Sequence, residues 1–357
     1  MRRPYIDWAR GLAVLVMIEA HALDAWTGLP DRSSPAFGYL TILGGFAAPL
    51  FLWLAGVSLV LAADSKSRST GDRLAGQTQL IRRGLEILIL GFLFRLQALV
   101  ITPGSPLITL FRVDILNVMG PSIVAAGLVW GLLSNRIALV MTYALLATLA
   151  AMVTPILRSS PLIGMLPTLL QWYIRPAGEH TTFTLFPWAG FVFAGAAVGA
   201  VLANARDRLS ERRADAAIAA VGAGLVWVGF YTASLPSIYA ASSFWTSSPT
   251  YFVIRTGLLM LVLGIVPTLE PLAARLPAAF GWLERFGRGS LFIYWIHVEL
   301  VYGYATWPLR HRLALWQTAM AYMAFCALMY GALILRDRVL IAVRSRSSGG
   351  SHSMVRI

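Results

Sequence analysis

One apolar stretch near the start of the chain carries five side chains that could do chemistry. The stretch covers residues 5–24, and its ionisable residues are Asp7, Arg10, Glu19, His21 and Asp24. It is long enough to enter a bilayer, where each charged side chain costs at least a few kcal/mol. A plain membrane anchor does not need such residues, so we interpret them as functional.

Helical spacing places Arg10 and His21 on one face of this stretch. Eleven residues at about 100° each return to nearly the same direction, and about 1.5 Å per residue separates the two by roughly 16 Å along the axis. A guanidinium near one membrane surface and an imidazole near the other suit a reaction with reagents from both sides. Each residue also has a plainer interpretation, because Arg10 could extend to the headgroups and His21 could be an interfacial histidine. The position of Asp7 one turn before Arg10, and of Asp24 one turn after His21, favours function.

Composition indicates the class of protein. The chain has 357 residues, of which 58% are hydrophobic and 13% are charged, whereas soluble domains are about one quarter charged. Apolar runs of about 20 residues recur along the chain, which predicts an all-α, polytopic integral membrane protein. The net charge of +13 would suit nucleic acid, but the basic residues lie in short loops between spans, so we expect no nucleic-acid partner. The single Cys326 excludes an internal disulfide and a Cys-based metal site, and we expect no bound metal.

Ten membrane spans are predicted, at 8–27, 40–63, 82–101, 113–133, 137–154, 184–203, 216–234, 251–269, 289–307 and 313–335. Segments on alternating sides carry 21 and 8 of the 29 Lys and Arg residues. This asymmetry predicts that both termini are cytoplasmic. We expect one transmembrane domain over residues 1–340 and a flexible basic cytoplasmic tail over 341–357, in which His352 is inert. No cleavable signal sequence is apparent.

Two later segments carry polar groups where a plain helix bundle would not. Arg112, Asp114 and Asn117 lie at the predicted outer start of the fourth span. Arg112 and Asp114 are either a solvated ion pair or, with Asn117, the lining of an outer cavity. His297 lies within the ninth span, where it is either a functional group or a buried structural hydrogen-bonding residue.

Several segments resemble the bacterial relatives of heparan-α-glucosaminide N-acetyltransferase. These segments follow one another in the order expected for that family. They are Asp7-x-x-Arg10-Gly11 with His21, Phe51-Leu-Trp-Leu-Ala-Gly56, Arg112-Val-Asp114, Phe186-Pro-Trp188 and Ser290-Leu-Phe-Ile-Tyr-Trp-Ile-His297. The ten residues between Arg10 and His21 also resemble the Arg-x10-His motif of the wider membrane acyltransferase superfamily. One departure is Glu19, which stands where a neutral residue is expected.

The resemblance implies a multi-pass enzyme of the bacterial cytoplasmic (inner) membrane. Such an enzyme takes an acyl group, here an acetyl group, from cytoplasmic acyl-CoA and gives it to a hydroxyl or amine of an acceptor outside, a glycan or other small molecule. Acetyl-CoA is then a co-substrate, and no cofactor is permanently bound. The resemblance assigns Arg10 to the donor side and makes His21 the essential catalytic histidine. From its position within the ninth span, we expect His297 to support His21.

The residue types suit this chemistry. Cations must meet the phosphates of CoA, and we expect Arg10 beside Asp7, with Arg82 and Arg83, to do so. Imidazole is a base that works near neutral pH, and we expect Asp24 to fix the tautomer of His21. Asn117 or Arg112 could stabilise the oxyanion, and an acyl-histidine intermediate is an open alternative.

A different class of function fits the same charges. A secondary transporter or flippase could use them as an intramembrane proton relay. Against this alternative, the sequence contains no internal repeat and no pair of Gly/Pro-broken helices in corresponding halves. A purely structural membrane scaffold would have little use for so many intramembrane ionisable residues.

Overall fold

The computed structural model of the protein describes residues 3–102 and 104–349, the side chains of 344–349 excepted. Within these residues the chain is 84% helical and has no strands, which confirms the all-α prediction. The α-helices are α1 (Pro4–Trp26), α2 (Pro35–Gly44), α3 (Ala47–Thr70), α4 (Arg73–Ile101), α5 (Ile115–Leu132), α6 (Arg136–Ser159), α7 (Thr168–Ile174), α8 (Leu185–Asn204), α9 (Arg208–Ala233), α10 (Pro249–Ile265), α11 (Glu270–Arg275), α12 (Pro277–Arg288), α13 (Ser290–Tyr302) and α14 (Leu315–Gly349). Short 3-10 helices cover Leu29–Ser33, Leu107–Phe111, Pro161–Met165, Gly178–His180, Val266–Leu269 and Tyr304–Leu309.

Eight helical segments in the described part of the chain are long and apolar enough to cross a membrane. Each coincides with one of the ten predicted spans, which indicates a multi-pass membrane protein. The two other predicted spans correspond to α1 and α13. Helix α1 differs from the eight segments because it carries charged residues. Helix α13 differs because it has only 13 residues, so it is about 20 Å long, whereas the hydrocarbon layer of a membrane is about 30 Å thick. The helices that depart from a plain span are therefore those that carry His21 and His297.

The Cα positions of the chain form two compact units. The first unit contains residues 48–275 and the first six residues. Its helices α3 and α8 pack closely through glycine, because a Cβ at Gly56 would lie 2.1 Å from the carbonyl oxygen of Val192, and one at Gly195 would lie 1.9 Å from that of Trp53. Small residues permit such close approach in membrane helices.

Of the described residues, the second unit contains 7–47 and 276–349, and most of α1 belongs to it. Helix α12 packs closely on α1, because a Cβ at Gly11 would lie 2.1 Å from the carbonyl oxygen of Leu283, and one at Gly287 would lie 2.0 Å from that of Asp7. The end of α1 is joined to later elements by hydrogen bonds from Gly28 N to Leu313 O (2.8 Å) and from the Trp26 indole to Val301 O (3.3 Å).

Helices α1 and α13 run in the same direction. Arg288, two residues before α13, lies beside Asp7 near the start of α1. At the other end, Tyr302 contacts Asp24. Both contacts show that the starts of the two helices lie together and that their ends lie together.

Helix α14 continues to Gly349, so residues 341–349 of the predicted flexible tail are helical. The remainder of that tail, including His352, lies outside the described residues.

Candidate active site

Two histidines from opposite ends of the sequence meet within the second unit. His21 of α1 and His297 of α13 approach to 2.8 Å between Nδ1 and Nε2. The ring planes differ by 4°, yet the ring centroids are 5.0 Å apart. Because the nitrogens are so much closer than the centroids, the rings meet edge to edge through a hydrogen bond rather than face to face. His297 is fully buried and His21 is half-buried.

The hydrogen bonds assign a tautomer to each ring. His297 Nδ1 is 2.8 Å from the carbonyl oxygen of Ile293, and since a carbonyl only accepts, this nitrogen carries the hydrogen. In neutral imidazole the other nitrogen then has the lone pair, so His297 Nε2 accepts from His21 Nδ1. The lone pair of His21 is thereby placed on Nε2, which makes Nε2 the nitrogen that can act as a base.

Asp24 does not occupy the position that we expected for it. Its Oδ2 accepts a hydrogen bond from the Tyr302 hydroxyl at 2.9 Å, and its Oδ1 is 4.0 Å from an Arg32 nitrogen. The Tyr302 ring meets the His21 ring edge-on, with centroids 5.6 Å apart. His297 therefore holds the His21 tautomer, and Asp24 is connected to His21 through the Tyr302 side chain.

The start of α1 carries a second charged cluster. Arg10 donates to Asp7 at 3.0 Å, and Arg288 is 3.8 Å from the other oxygen of Asp7. Arg288 also pairs with Glu284 at 2.7 Å. The Asp7–Arg10 pair that we expected is present, and the structure adds Arg288, which the sequence did not single out.

The other two expected basic residues of the donor side lie in the first unit. Arg82 and Arg83 both pair with Glu86 on their own helix, at 2.9 Å and 3.1 Å. The Arg82 side chain is 80% exposed. These are surface ion pairs, which contribute little to stability.

The acceptor-side set Arg112, Asp114 and Asn117 also lies in the first unit and is engaged in its local structure. Asp114 pairs with Arg95, while Arg112 donates to the Thr182 hydroxyl at 3.0 Å. The Asn117 side chain accepts from the backbone N–H of Asp114 at 3.2 Å, an arrangement that satisfies the start of α5. These contacts favour a structural role.

Sequence reasoning missed Tyr302, Arg32 and the Ile293 carbonyl. Ile293 lies one helical turn before His297, so its carbonyl is within reach of the ring on any α-helix. Tyr302 gave no signal, because its partner Asp24 lies 278 positions away. Arg32 is close in sequence to its partners Thr27 and Asp24, but it reaches them across a loop whose geometry no sequence periodicity predicts. Among the described residues, no group of three or more His, Cys, Asp or Glu side chains is placed to hold a metal ion.

Comparison with known proteins identifies the family. The family model described as heparan-alpha-glucosaminide N-acetyltransferase, catalytic, matches residues 2–239, about two-thirds of the 357 residues. The matched range includes α1 with Arg10 and His21, and it ends before α13. Among individual curated proteins, none matches the chain. The chain therefore belongs to the family of the heparan-α-glucosaminide N-acetyltransferase catalytic domain.

Proposed function

We propose that this protein moves an acetyl group from cytoplasmic acetyl-CoA to a hydroxyl or amine of a sugar or glycan outside a bacterial cytoplasmic membrane. The family to which the chain belongs is that of an N-acetyltransferase catalytic domain, and the eight apolar helical segments indicate that the enzyme lies in a membrane. Arg10 and His21 lie on one helix, about 16 Å apart along its axis. That separation suits a CoA arm whose phosphates and thioester are far apart.

The observation that carries this proposal is the hydrogen-bond chain from the Ile293 carbonyl through His297 to His21. It leaves the lone pair on His21 Nε2. This nitrogen removes the proton from the acceptor hydroxyl or amine as the acceptor attacks the thioester carbonyl. The carbon–sulfur bond then breaks, and the proton passes from Nε2 to the departing thiolate.

The same nitrogen also allows a two-step route. Nε2 can attack the thioester carbonyl itself, which breaks the carbon–sulfur bond, releases the CoA thiolate and leaves the acetyl group on His21 as acyl-histidine. The acceptor then attacks this acetyl group, the carbon–nitrogen bond to Nε2 breaks, and the proton that the acceptor loses neutralises the thiolate. The two routes differ in one observable. After incubation with acetyl-CoA alone, mass spectrometry of the peptide that contains His21 finds an acetyl group only in the two-step route.

On the donor side we propose that Arg10, with Asp7 and Arg288, contacts the CoA phosphates. Arginine suits this task because its planar guanidinium binds phosphate oxygens in pairs. Arg82 and Arg83 could add to the attraction of an anionic donor from the cytoplasm. Their pairing with Glu86 makes Arg10 and Arg288 the stronger candidates.

The decisive experiment uses detergent-purified protein and radiolabelled acetyl-CoA. We expect binding of acetyl-CoA and its slow hydrolysis without acceptor, and we expect His21→Ala to lower turnover by at least 10²-fold, since a general base contributes about 10²–10⁴. His180→Ala is the matched control, because His180 stacks on Trp172 at 4.3 Å in the first unit. A transporter or flippase would neither bind nor hydrolyse acetyl-CoA, and that result would end the proposal.

A further inference from the structure

We propose that Asp24, held in place by Tyr302, binds the acceptor beside the atom that is acylated, so that these two residues determine acceptor specificity. The inference rests on the proposed acetyltransferase function and adds acceptor-binding residues to the proposed active site. It gives Asp24 a different task from the one that the sequence predicted, because the tautomer of His21 is held by His297.

The Asp24 carboxylate has acceptor capacity for a ligand. Its side chain is 63% exposed, although the residue lies only three positions after His21 on the same helix. An ionised carboxylate offers about four hydrogen-bonding positions. The Tyr302 hydroxyl takes one of them at 2.9 Å, and Arg32 approaches the other oxygen at 4.0 Å.

Tyr302 connects this carboxylate with the base. Its ring lies edge-on against the His21 ring, with centroids 5.6 Å apart, while its hydroxyl donates to Asp24. Asp24 also lies three residues after His21 on α1, so a ligand group bound to Asp24 is close to the imidazole that removes the proton. An exposed carboxylate this close to a catalytic base is placed to hold the molecule that the base deprotonates.

The loop after α1 fixes the backbone of Asp24. Arg32 donates to the carbonyl oxygens of Thr27, at 3.2 Å, and of Asp24 itself. Arg32 also contacts His311 Nδ1 at 2.8 Å, and because arginine only donates, this nitrogen accepts. These contacts hold the carboxylate before any ligand arrives, which reduces the entropy lost on binding.

The chemistry of a carboxylate defines the ligand class. Asp24 accepts hydrogen bonds and attracts positive charge, so it selects an acceptor with a hydroxyl or ammonium group next to the acylated position. Polyols and amino sugars have this pattern. A simple alcohol or amine has no second donor, and it leaves Asp24 without a partner.

The experiment measures acetyl transfer from acetyl-CoA to D-glucosamine, with the acceptor concentration varied. We expect Asp24→Asn, which keeps the shape and removes the charge, to raise the KM for D-glucosamine about tenfold, the effect of losing a charge-assisted hydrogen bond. We expect Tyr302→Phe to raise it by a smaller factor. In both variants the rise in acceptor KM exceeds the fall in kcat, and Asp24→Glu restores part of the affinity.

The double variant tests whether Tyr302 acts through Asp24. If it does, Asp24→Asn with Tyr302→Phe has the same acceptor KM as Asp24→Asn alone, because the second change removes a contact that no longer matters. Tyr304→Phe is the matched control, since Tyr304 is an exposed tyrosine two residues further along. Thermal unfolding in detergent confirms that each variant is folded.

Three results would overturn the inference. One is an unchanged acceptor KM in Asp24→Asn. Another is a loss confined to kcat, which would place Asp24 in proton transfer. The third is a wild-type enzyme that hydrolyses acetyl-CoA but transfers nothing to D-glucosamine. All three leave the donor half of the proposed function intact, whereas a protein that does not use acetyl-CoA refutes both proposals.

Discussion

The hydrogen-bond chain that ends at His21 gives the two imidazoles different tasks. His297 is fully buried, and both of its ring nitrogens are engaged, one by the Ile293 carbonyl and one by His21. It can therefore orient a neighbour, but it is poorly placed to meet an acceptor itself. His21 is half-buried and presents Nε2. We infer that His21 performs the transfer and that His297 is a positioning residue.

Replacing His297 tests this division of tasks. His297→Phe keeps a ring of similar size but removes the acceptor for His21 Nδ1, so His21 is free to populate the other tautomer. We expect turnover to fall, but less than in His21→Ala. Nitrogen-15 NMR of labelled histidine reports which ring nitrogen is protonated, and we expect a single tautomer of His21 in the native protein and a mixture in the variant. An unchanged His21 spectrum, or a variant as inactive as His21→Ala, would contradict the assignment.

Replacing Arg10 tests the proposed contact with the CoA phosphates. We expect Arg10→Ala to weaken acetyl-CoA binding roughly tenfold to a hundredfold, because a hydrogen bond to a charged group is worth about 1.5–3 kcal/mol. Binding is measured per folded molecule by equilibrium dialysis in detergent. Arg310→Ala is the control, since Arg310 lies at the other end of the second unit, over the ring of Trp307. If Arg10 served only its ion pair with Asp7, the variant would be less stable and bind acetyl-CoA normally.

Sequence reasoning found His21 and Arg10 because both lie on one helix, where spacing alone fixes their relation. It could not find the partner of His21. His297 is 276 positions away, and no periodicity connects two separate helices. The same limit explains Asp24, whose position on α1 was correctly placed near His21 but whose contacts come from α13 and a loop.

Among the helices, the contact between α1 and α12 positions Arg288 beside the Asp7–Arg10 ion pair. At Gly11 and Gly287 the backbones approach so closely that neither position has room for a Cβ. Gly287 precedes Arg288, and its would-be Cβ points at the carbonyl oxygen of Asp7. The place of Arg288 beside Asp7 therefore depends on a glycine.

A pair of alanine substitutions on α12 tests this contact. Gly287→Ala forces the two helices apart, and we expect it to destabilise the protein by about 1–3 kcal/mol, the usual effect of overpacking. It should also weaken acetyl-CoA binding by moving Arg288. Gly281→Ala on the same helix meets nothing within 4 Å, so we expect it to be neutral or to stabilise by up to about 1 kcal/mol. Thermal unfolding in detergent measures both, and equal effects would refute the close-packing explanation.

At the scale of the whole molecule, charge and hydropathy predicted the class of fold from the sequence. The eight apolar helical segments could be predicted from the sequence because helix length and composition alone define them. Helix α13 was placed within a longer span, 289–307, although the helix ends at Tyr302 and a 3-10 helix follows over Tyr304–Leu309. The sequence signals for this end are Gly303, at the C-cap of the helix, and Pro308 within the 3-10 helix, and a span defined by hydropathy alone does not take them into account.

The topology is tested by labelling single cysteines. Cys326 is the only cysteine of the chain, so a Cys326→Ala background carries one new thiol at a time. We expect Ser69→Cys to react with a membrane-impermeant maleimide only after the cells are opened, and Glu179→Cys to react in intact cells. Both positions are exposed. Labelling of both from the same side would remove the two-sided mechanism.

The pairing of His21 with His297 also determines when during synthesis the enzyme can become active. Helix α1 leaves the ribosome first, and 276 further residues must follow before its partner exists. At about 5–20 residues per second this delay is roughly 15–55 s. Throughout that interval α1 carries its charged residues into the membrane without the contacts that α12, α13 and the loop before α14 later provide. The contacts that hold α1 in the folded protein are thus absent while this helix is being inserted, and a product that stops before residue 297 contains His21 without His297.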